Sequence, residues 1–436
     1  MDEVKIRIDN IITYGLLVAS NDRSKDVSKI YSRPRLESLV GTLLKEYVFE
    51  GFGQRGKEWF FYDSEHKNHQ YKHWVYNNPG GTCDCGDVDA WKSDSTCSKH
   101  MEADGSEKLL PAAFLNKFRH ILQYLCEILE EICTHGFSIF DNYLEGMLNS
   151  NTTPNIYHNH EINHGNSSID ANALKWCLLV PYDGSYVLDE FIDCFTSSFH
   201  MSHEDSESFS MDITECGFGC AKYLVDIDEC KKAKKYIDQL WRIKYKDRTV
   251  NLRISKVHRL YIMRLAPILI GVIYEYCFDK TQLCNILSEM VFKQTKLAKV
   301  FLLNQYSLWK EVRDGMVFRI FVVSKYTKAG RINAATLFLD NIHNLYTRHL
   351  YDASEDTCSF FDVIGQIINC PSVVVYLIEN GFLSKMIDVI SHLLTTVGIE
   401  AGADVMQLYQ KGKRKSESLL EFFKQKYYYA HVYVFP

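Results

Sequence analysis

The sequence predicts a mainly α-helical scaffold that carries a small zinc-held module and a small α+β unit. Three observations predict it. Apolar residues recur at helical spacing from Leu109 to Gly136 and again from about Val257 to Leu394. Two short apolar runs, KWCLLV at 175–180 and CAKYLV at 220–225, read as buried strands. Six candidate metal ligands, three cysteines and three histidines, fall within the 35 residues from His66 to His100.

Composition sets the frame. A chain of 436 residues can build two or three domains and a sizeable core. Its net charge of -6 makes the bulk surface a poor partner for polyanions, so no nucleic acid is expected. The start, MDEVKIRIDN, has no apolar core of a signal peptide. The longest apolar run, LAPILIGVIY at 265–274, falls short of the ~20 residues a membrane span needs, so no membrane partner is expected. These features read as a cytoplasmic protein. KGKRK at 411–415 is compatible with a nuclear signal, although a solvated face is the stronger reading. In a reducing compartment the fourteen cysteines read as thiols or metal ligands rather than disulfides. Eleven of them, from Cys126 to Cys370, lie mostly in apolar pattern and are expected in the core.

The elements follow in order. Residues 1–58 read as an N-terminal helical segment and 59–105 as the zinc module. Residues 108–148 read as a helical hairpin. Pro111 suits the first turn and Gly136 a stop, and Phe114, Phe118, Ile121, Leu122, Leu125, Ile128, Leu129 and Ile132 form one stripe. The polar, aperiodic stretch 149–172 reads as a linker. Its His158, His160 and His164 lack accompanying cysteines or carboxylates, so a solvated loop outweighs a metal site there. The α+β unit is expected over 175–245, with a turn at PYDGS, a helix over VLDEFIDCFTSSF, and Asp228 capping DECKKAKKYIDQL. Residues 246–436 are expected to be helical scaffold without a fixed-period repeat.

The metal constellation is GGTCDCGDVDAWKSDSTCSKH, residues 80–100. Cys83-x-Cys85 and the later Cys97-x-x-His100 supply three thiols and an imidazole, enough for one tetrahedral zinc. Thiolates select zinc over calcium or magnesium. His66-x-x-His69 offers two further ligands upstream, and NNPGG between them turns easily. In so small a module metal binding supplies much of the folding energy. Unconnected surface residues are the alternative, which this clustering disfavours. Asp84 and Asp87 are not needed as ligands. On a zinc-held loop two carboxylates can share charge-assisted hydrogen bonds with one ammonium or guanidinium, or they can be solubilising decoration. Spacing alone leaves those two readings even. A zinc hydrolase is disfavoured, because four protein ligands leave no position for water.

This stretch resembles the last part of the UBR box of N-recognins, the ubiquitin ligases that read destabilising protein N-termini. FYDSEHKNHQY, residues 61–71, resembles the part before it. The shared features are CDCGD, the Ala-Trp pair, the late Cys-x-x-His and their spacing. The resemblance implies that Cys83, Cys85, Cys97 and His100, with His66 and His69, are zinc ligands. It also implies that Thr82, Asp84 and Asp87 bind the free α-amine and basic first side chain of an N-degron protein. KWCLLVPYDGSYVLDEFIDCF, 175–195, resembles the start of the ClpS-like domain of these ligases, with Asp183 as its amine contact. SLWKEVRDG, 307–315, resembles their scaffold.

The chain departs from the family pattern in three places. GFGQRGKEWFF, 51–61, has no cysteine where the family's box has its first cysteine-rich half, so at most one well-formed zinc site is expected. Tyr182-Asp183 replaces the ClpS-like Asn-Asp, which makes reading of hydrophobic N-termini doubtful. No paired Cys-x-x-Cys clusters follow Cys97, so a RING is not expected here, and an E2 conjugating enzyme would be met only through other regions. The expected function is the substrate-recognition part of a RING-type E3 ligase. The alternative is a non-catalytic helical adaptor with a residual zinc knuckle.

Overall fold

A computed structural model of the chain describes residues 2–20, 33–52, 109–136, 176–182, 188–224, 226–244, 252–278, 280–351, 359–368 and 370–392. The zinc module, the 149–172 linker, the second arm of the 108–148 hairpin and everything beyond His392 lie outside these residues.

Helix α1, Asp2–Ser20, starts with Asp2 and Glu3, whose charges suit a helix N-terminus. It buries Ile8, Ile11, Ile12 and Leu16. Helix α2 runs through Arg33–Leu36, a π turn at Glu37–Gly41, and Thr42–Phe49. Helix α3, Ala112–His135, realises the predicted stripe, and all eight of its residues are buried. Each large apolar side chain so buried contributes roughly 1.5–3 kcal/mol. Gly136, with φ 54°, ends the helix where the sequence places a stop. Across the α1–α3 contact, Lys5 pairs with Glu127 at 2.8 Å and the Tyr124 hydroxyl donates to Asp9 at 2.5 Å.

The described residues between Trp176 and Lys256 form an α+β unit of three strands and three helices, one strand and one helix more than the sequence suggests. Strand β1, Trp176–Pro181, leads to helices α4, Leu188–Phe199, and α5, His203–Cys216. Strand β2, Phe218–Leu224, helix α6, Ile227–Lys244, and strand β3, Arg253–Lys256, complete it. The sheet is antiparallel in the order β2-β1-β3. The expected boundary at 245 therefore falls short, because β3 lies beyond it. RISK is too short and too polar to signal a strand alone. The cap of α6 is also shifted. Asp226 Oδ1 accepts from the Asp228 amide at 3.1 Å, so Asp226 plays the role assigned to Asp228. The central strand reads as a continuous apolar run because both its faces are covered. Leu178 and Val180 pack with Phe195, Ile213, Ile237 and Trp241, while Cys177 and Leu179 join the core of the helical scaffold.

That scaffold continues with α7, Val257–Cys277, α8, Thr281–Glu289, and α9, Leu297–Asn304. Helix α10, Lys310–Gly315, and α11, Lys328–Tyr351, follow. Helices α12, Phe360–Ile367, α13, Pro371–Glu379, and α14, Phe382–His392, close the described chain. Residues Arg259–Cys277 are long and apolar enough to cross a membrane, and 78% of the most apolar stretch is buried inside the bundle. The run at 265–274 is thus the middle of a longer core helix. Its Tyr261 hydroxyl donates to the Ile12 carbonyl at 2.6 Å. The ten described cysteines are thiols, nine of them buried, as the sequence predicts.

The α+β unit is keyed onto the scaffold at one corner. Gly217 caps α5 at φ 85°, and a Cβ there would collide with the Lys310 backbone. Phe218 meets Trp309 edge-on at 6.3 Å. Arg264 lies over the Phe218 ring at 4.7 Å and donates to Cys216 Sγ at 2.8 Å, with Glu311 at 4.0 Å. SLWKEVRDG supplies Trp309, Lys310 and Glu311 to this corner.

Candidate functional site

The sequence-predicted site residues divide into two groups. Thr82, Cys83, Asp84, Cys85, Asp87, Cys97 and His100, with His66 and His69, fall in the 56-residue stretch 53–108, outside the described residues. Asp183 lies outside them as well. The structure defines the base on which that stretch is mounted.

The described residues break off at Phe52 and resume at Leu109. Gly51, at φ 92°, makes the turn off α2 that a side-chain-bearing residue adopts only with strain. Phe52 then packs edge-on against Phe114 at 5.4 Å, and Phe49 stacks on the same ring at 6.1 Å. On the returning side, the Leu110 amide donates to Gln282 Oε1 at 3.1 Å. Both chain ends therefore meet the first turns of α3.

Lys117 closes this base. Its Nζ donates to the carbonyl oxygens of Tyr47 at 2.6 Å and Glu50 at 2.7 Å, two groups at the end of α2. Helix ends leave such carbonyls without intrahelical partners, and a lysine there also complements the helix dipole. The ammonium sits over the Tyr47 ring at 4.4 Å. Burial lowers the Lys117 pKa, the Glu50 carboxylate opposes that shift, and Arg7 adds to it. Sequence reading assigns Lys117 no role. A lone lysine on an amphipathic helix carries no signal of a partner 70 residues away.

At the second candidate, Tyr182 is held through its backbone and its ring. Its amide donates to the Gly217 carbonyl at 2.8 Å, and Lys310 Nζ lies 5.9 Å from its ring centre. The residue that precedes Asp183 is thus held against the corner where the unit meets the scaffold.

Among the described residues no group of three histidines, cysteines or carboxylates could hold a metal. The three thiols and the imidazoles of 66–100 remain the soft donor set that suits tetrahedral zinc.

Residues 60–100 match the family profile described as a putative zinc finger in N-recognin, the UBR box. Three relatives agree with it. E3 ubiquitin-protein ligase UBR1 of Drosophila melanogaster is 22% identical over 355 residues, 76% of this chain and 18% of that protein. UBR1 of Homo sapiens is 52% identical over 40 residues, 9% of this chain and 2% of that one. E3 ubiquitin-protein ligase PRT6 of Arabidopsis thaliana is 43% identical over 51 residues, 12% of this chain and 2% of that one. The chain spans less than a fifth of the length of these relatives. No solved structure matches it. The soft-donor module and the helical scaffold thus point the same way: residues 60–100 match the UBR box, a zinc-binding module, and over 76% of its length the chain is similar to an E3 ubiquitin-protein ligase of the UBR type.

Proposed function

We propose that the chain is the substrate-reading part of a cytoplasmic RING-type E3 ubiquitin-protein ligase. It binds proteins with destabilising basic N-terminal residues and directs them to ubiquitin-dependent degradation. The observation that carries this reading is the UBR-box match over 60–100, which contains the whole CDCGD stretch.

Cys83, Cys85, Cys97 and His100 would hold zinc, with His66 and His69 as further donors. Bound zinc supplies rigidity to a loop too small to fold on a core of its own. With zinc bound, the alternation Cys83-Asp84-Cys85 would let the thiolates face the metal and leave Asp84 free for the substrate. Asp84 and Asp87 then accept hydrogen bonds from the substrate's α-ammonium and from an Arg, Lys or His side chain, with the Thr82 hydroxyl beside them. A free α-amine has a pKa of about 7.7–8.0, so much of it is charged near neutral pH. Each charge-assisted bond contributes roughly 1.5–3 kcal/mol. Ubiquitin transfer and E2 binding would belong to regions outside this chain.

We place the ClpS-like domain at the α+β unit, with Asp183 as its amine contact. The support is the resemblance at 175–195 and the strand–helix order that follows it.

Peptides that differ only in their first residue test the proposal. Arg, Lys and His should bind zinc-loaded protein and Gly should not. Equal binding of all four would refute it. A second reading, a helical adaptor that reads no N-termini, is favoured by one observation: 51–61 has no cysteine, and the family match starts at residue 60.

A further inference from the structure

The outer face of α6 is a docking surface that the N-terminus reading does not use. The helix packs on the sheet through Cys230, Ile237 and Trp241, all buried. Its opposite face carries the cations Lys231, Lys232, Lys235 and Arg242, the carboxylates Asp228 and Glu229, and Tyr236, Gln239 and Ile243, all exposed. Tyr236 is 51% exposed and Ile243 80%, although residues of these kinds usually line cores or interfaces. They stand seven residues apart, so they lie on one line about 10 Å along the helix.

The charge on this face runs against that of the molecule. The chain as a whole is at -6, whereas α6 carries six lysines and arginines against three carboxylates. Lys231 pairs with Asp228 at 2.9 Å, and Lys234 turns back to the Leu252 carbonyl at 2.6 Å. Among the described residues, Lys232, Lys235 and Arg242 hold no ion pair within 4.0 Å. Arg242 and Lys234 lower the Asp238 pKa from a distance, and burial outweighs them.

We propose that this face binds an acidic protein segment that presents two apolar side chains about two helical turns apart. Carboxylates of the partner would face Lys232, Lys235 and Arg242, while its apolar pair would cover Tyr236 and Ile243. A membrane surface fits less well, because insertion needs a broad apolar face and α6 turns its own broad face to the sheet. Nucleic acid fits less well, because backbone binding needs no exposed tyrosine and isoleucine pair.

The test is fluorescence anisotropy with the full zinc-loaded chain. The probe is a labelled synthetic helical peptide of about 20 residues, with two leucines seven apart flanked by glutamates. A scrambled peptide of the same composition, a DNA duplex and phosphatidylserine vesicles are the comparisons. Tyr236→Ser with Ile243→Ser, and Lys232→Glu with Lys235→Glu, should each weaken the probe about tenfold or more. Both changes are at the surface, so far-ultraviolet circular dichroism should be unchanged. Scrambling should cost several-fold. The proposal is overturned if the probe does not bind, if the scrambled peptide binds as well, if the Tyr236/Ile243 variant keeps full affinity, or if only DNA or vesicles bind.

Discussion

Lys117 Nζ lies 2.6 Å from the carbonyl oxygen of Tyr47, so a side chain near the start of α3 closes the end of α2. The same ammonium reaches the Glu50 carbonyl, two residues before the described chain breaks off at Phe52. Lys117→Met should leave these carbonyls without their charged donor. We expect a loss of about 1–3 kcal/mol in chemical denaturation, with the zinc content per chain unchanged. An unaltered midpoint would show that the base does not depend on this contact.

Metal removal should separate the module from its scaffold. The described helices bury their apolar faces in a continuous core that contains no metal site, whereas the box relies on zinc. A chelator should therefore abolish binding of an Arg-initiated peptide while leaving the helical circular dichroism largely intact. Collapse of the helical signal with zinc loss would contradict this division.

Asp87→Asn and Asp84→Asn remove the acceptor charge without touching a zinc ligand. Each should weaken an Arg-initiated peptide by about 10- to 100-fold, the equivalent of one charge-assisted bond. Zinc stoichiometry should stay the same, which separates recognition from folding.

The corner between the α+β unit and the scaffold gives a conformational test. Gly217 combines φ 85° with a backbone contact to Lys310, so Gly217→Ala is penalised twice. We expect a destabilisation of about 1–3 kcal/mol or more, read from thermal or urea melts. Equal stability would mean the unit is not held there.

The Cys216 thiol at that corner gives a pH test. Burial pushes its pKa up to about 11, although the Arg264 guanidinium beside it pulls the other way. Alkylation in the folded protein should be slow near pH 8 and rise steeply towards pH 11. The folded-state pKa lies above that of the unfolded chain. This thiol's contribution to stability is therefore fully present below about pH 9 and is lost as pH rises through about 11. Rapid labelling at pH 8 would contradict the burial.

How much of this was legible in the sequence depends on the range of the interaction involved. The stripe of α3 and the apolar run of β1 are local patterns, and both stand where the residues place them. Helical pattern from about Val257 marks the start of α7, while the apolar run at 265–274 is shorter than the helix because Arg264 interrupts it, and Arg264 is turned into the corner at Cys216. Strand β3 has four residues and becomes a strand only by pairing with β1 across a long stretch of chain. Cys-x-Cys and Cys-x-x-His are local spacings, so the module they point to is legible, and the family match supports that module. The base beneath it is not legible, because Lys117, Tyr47, Phe52 and Phe114 acquire their roles only when α2 meets α3.

The most direct measurement is a calorimetric titration of zinc-loaded protein with a peptide beginning in free Arg, against its N-acetylated twin. Acetylation removes the α-ammonium charge and leaves every side chain of the peptide unchanged. We predict micromolar binding of the free peptide and none of the acetylated one. Equal binding of the two, or binding of neither, would contradict the claim that Asp84 and Asp87 form a reading pocket on this chain.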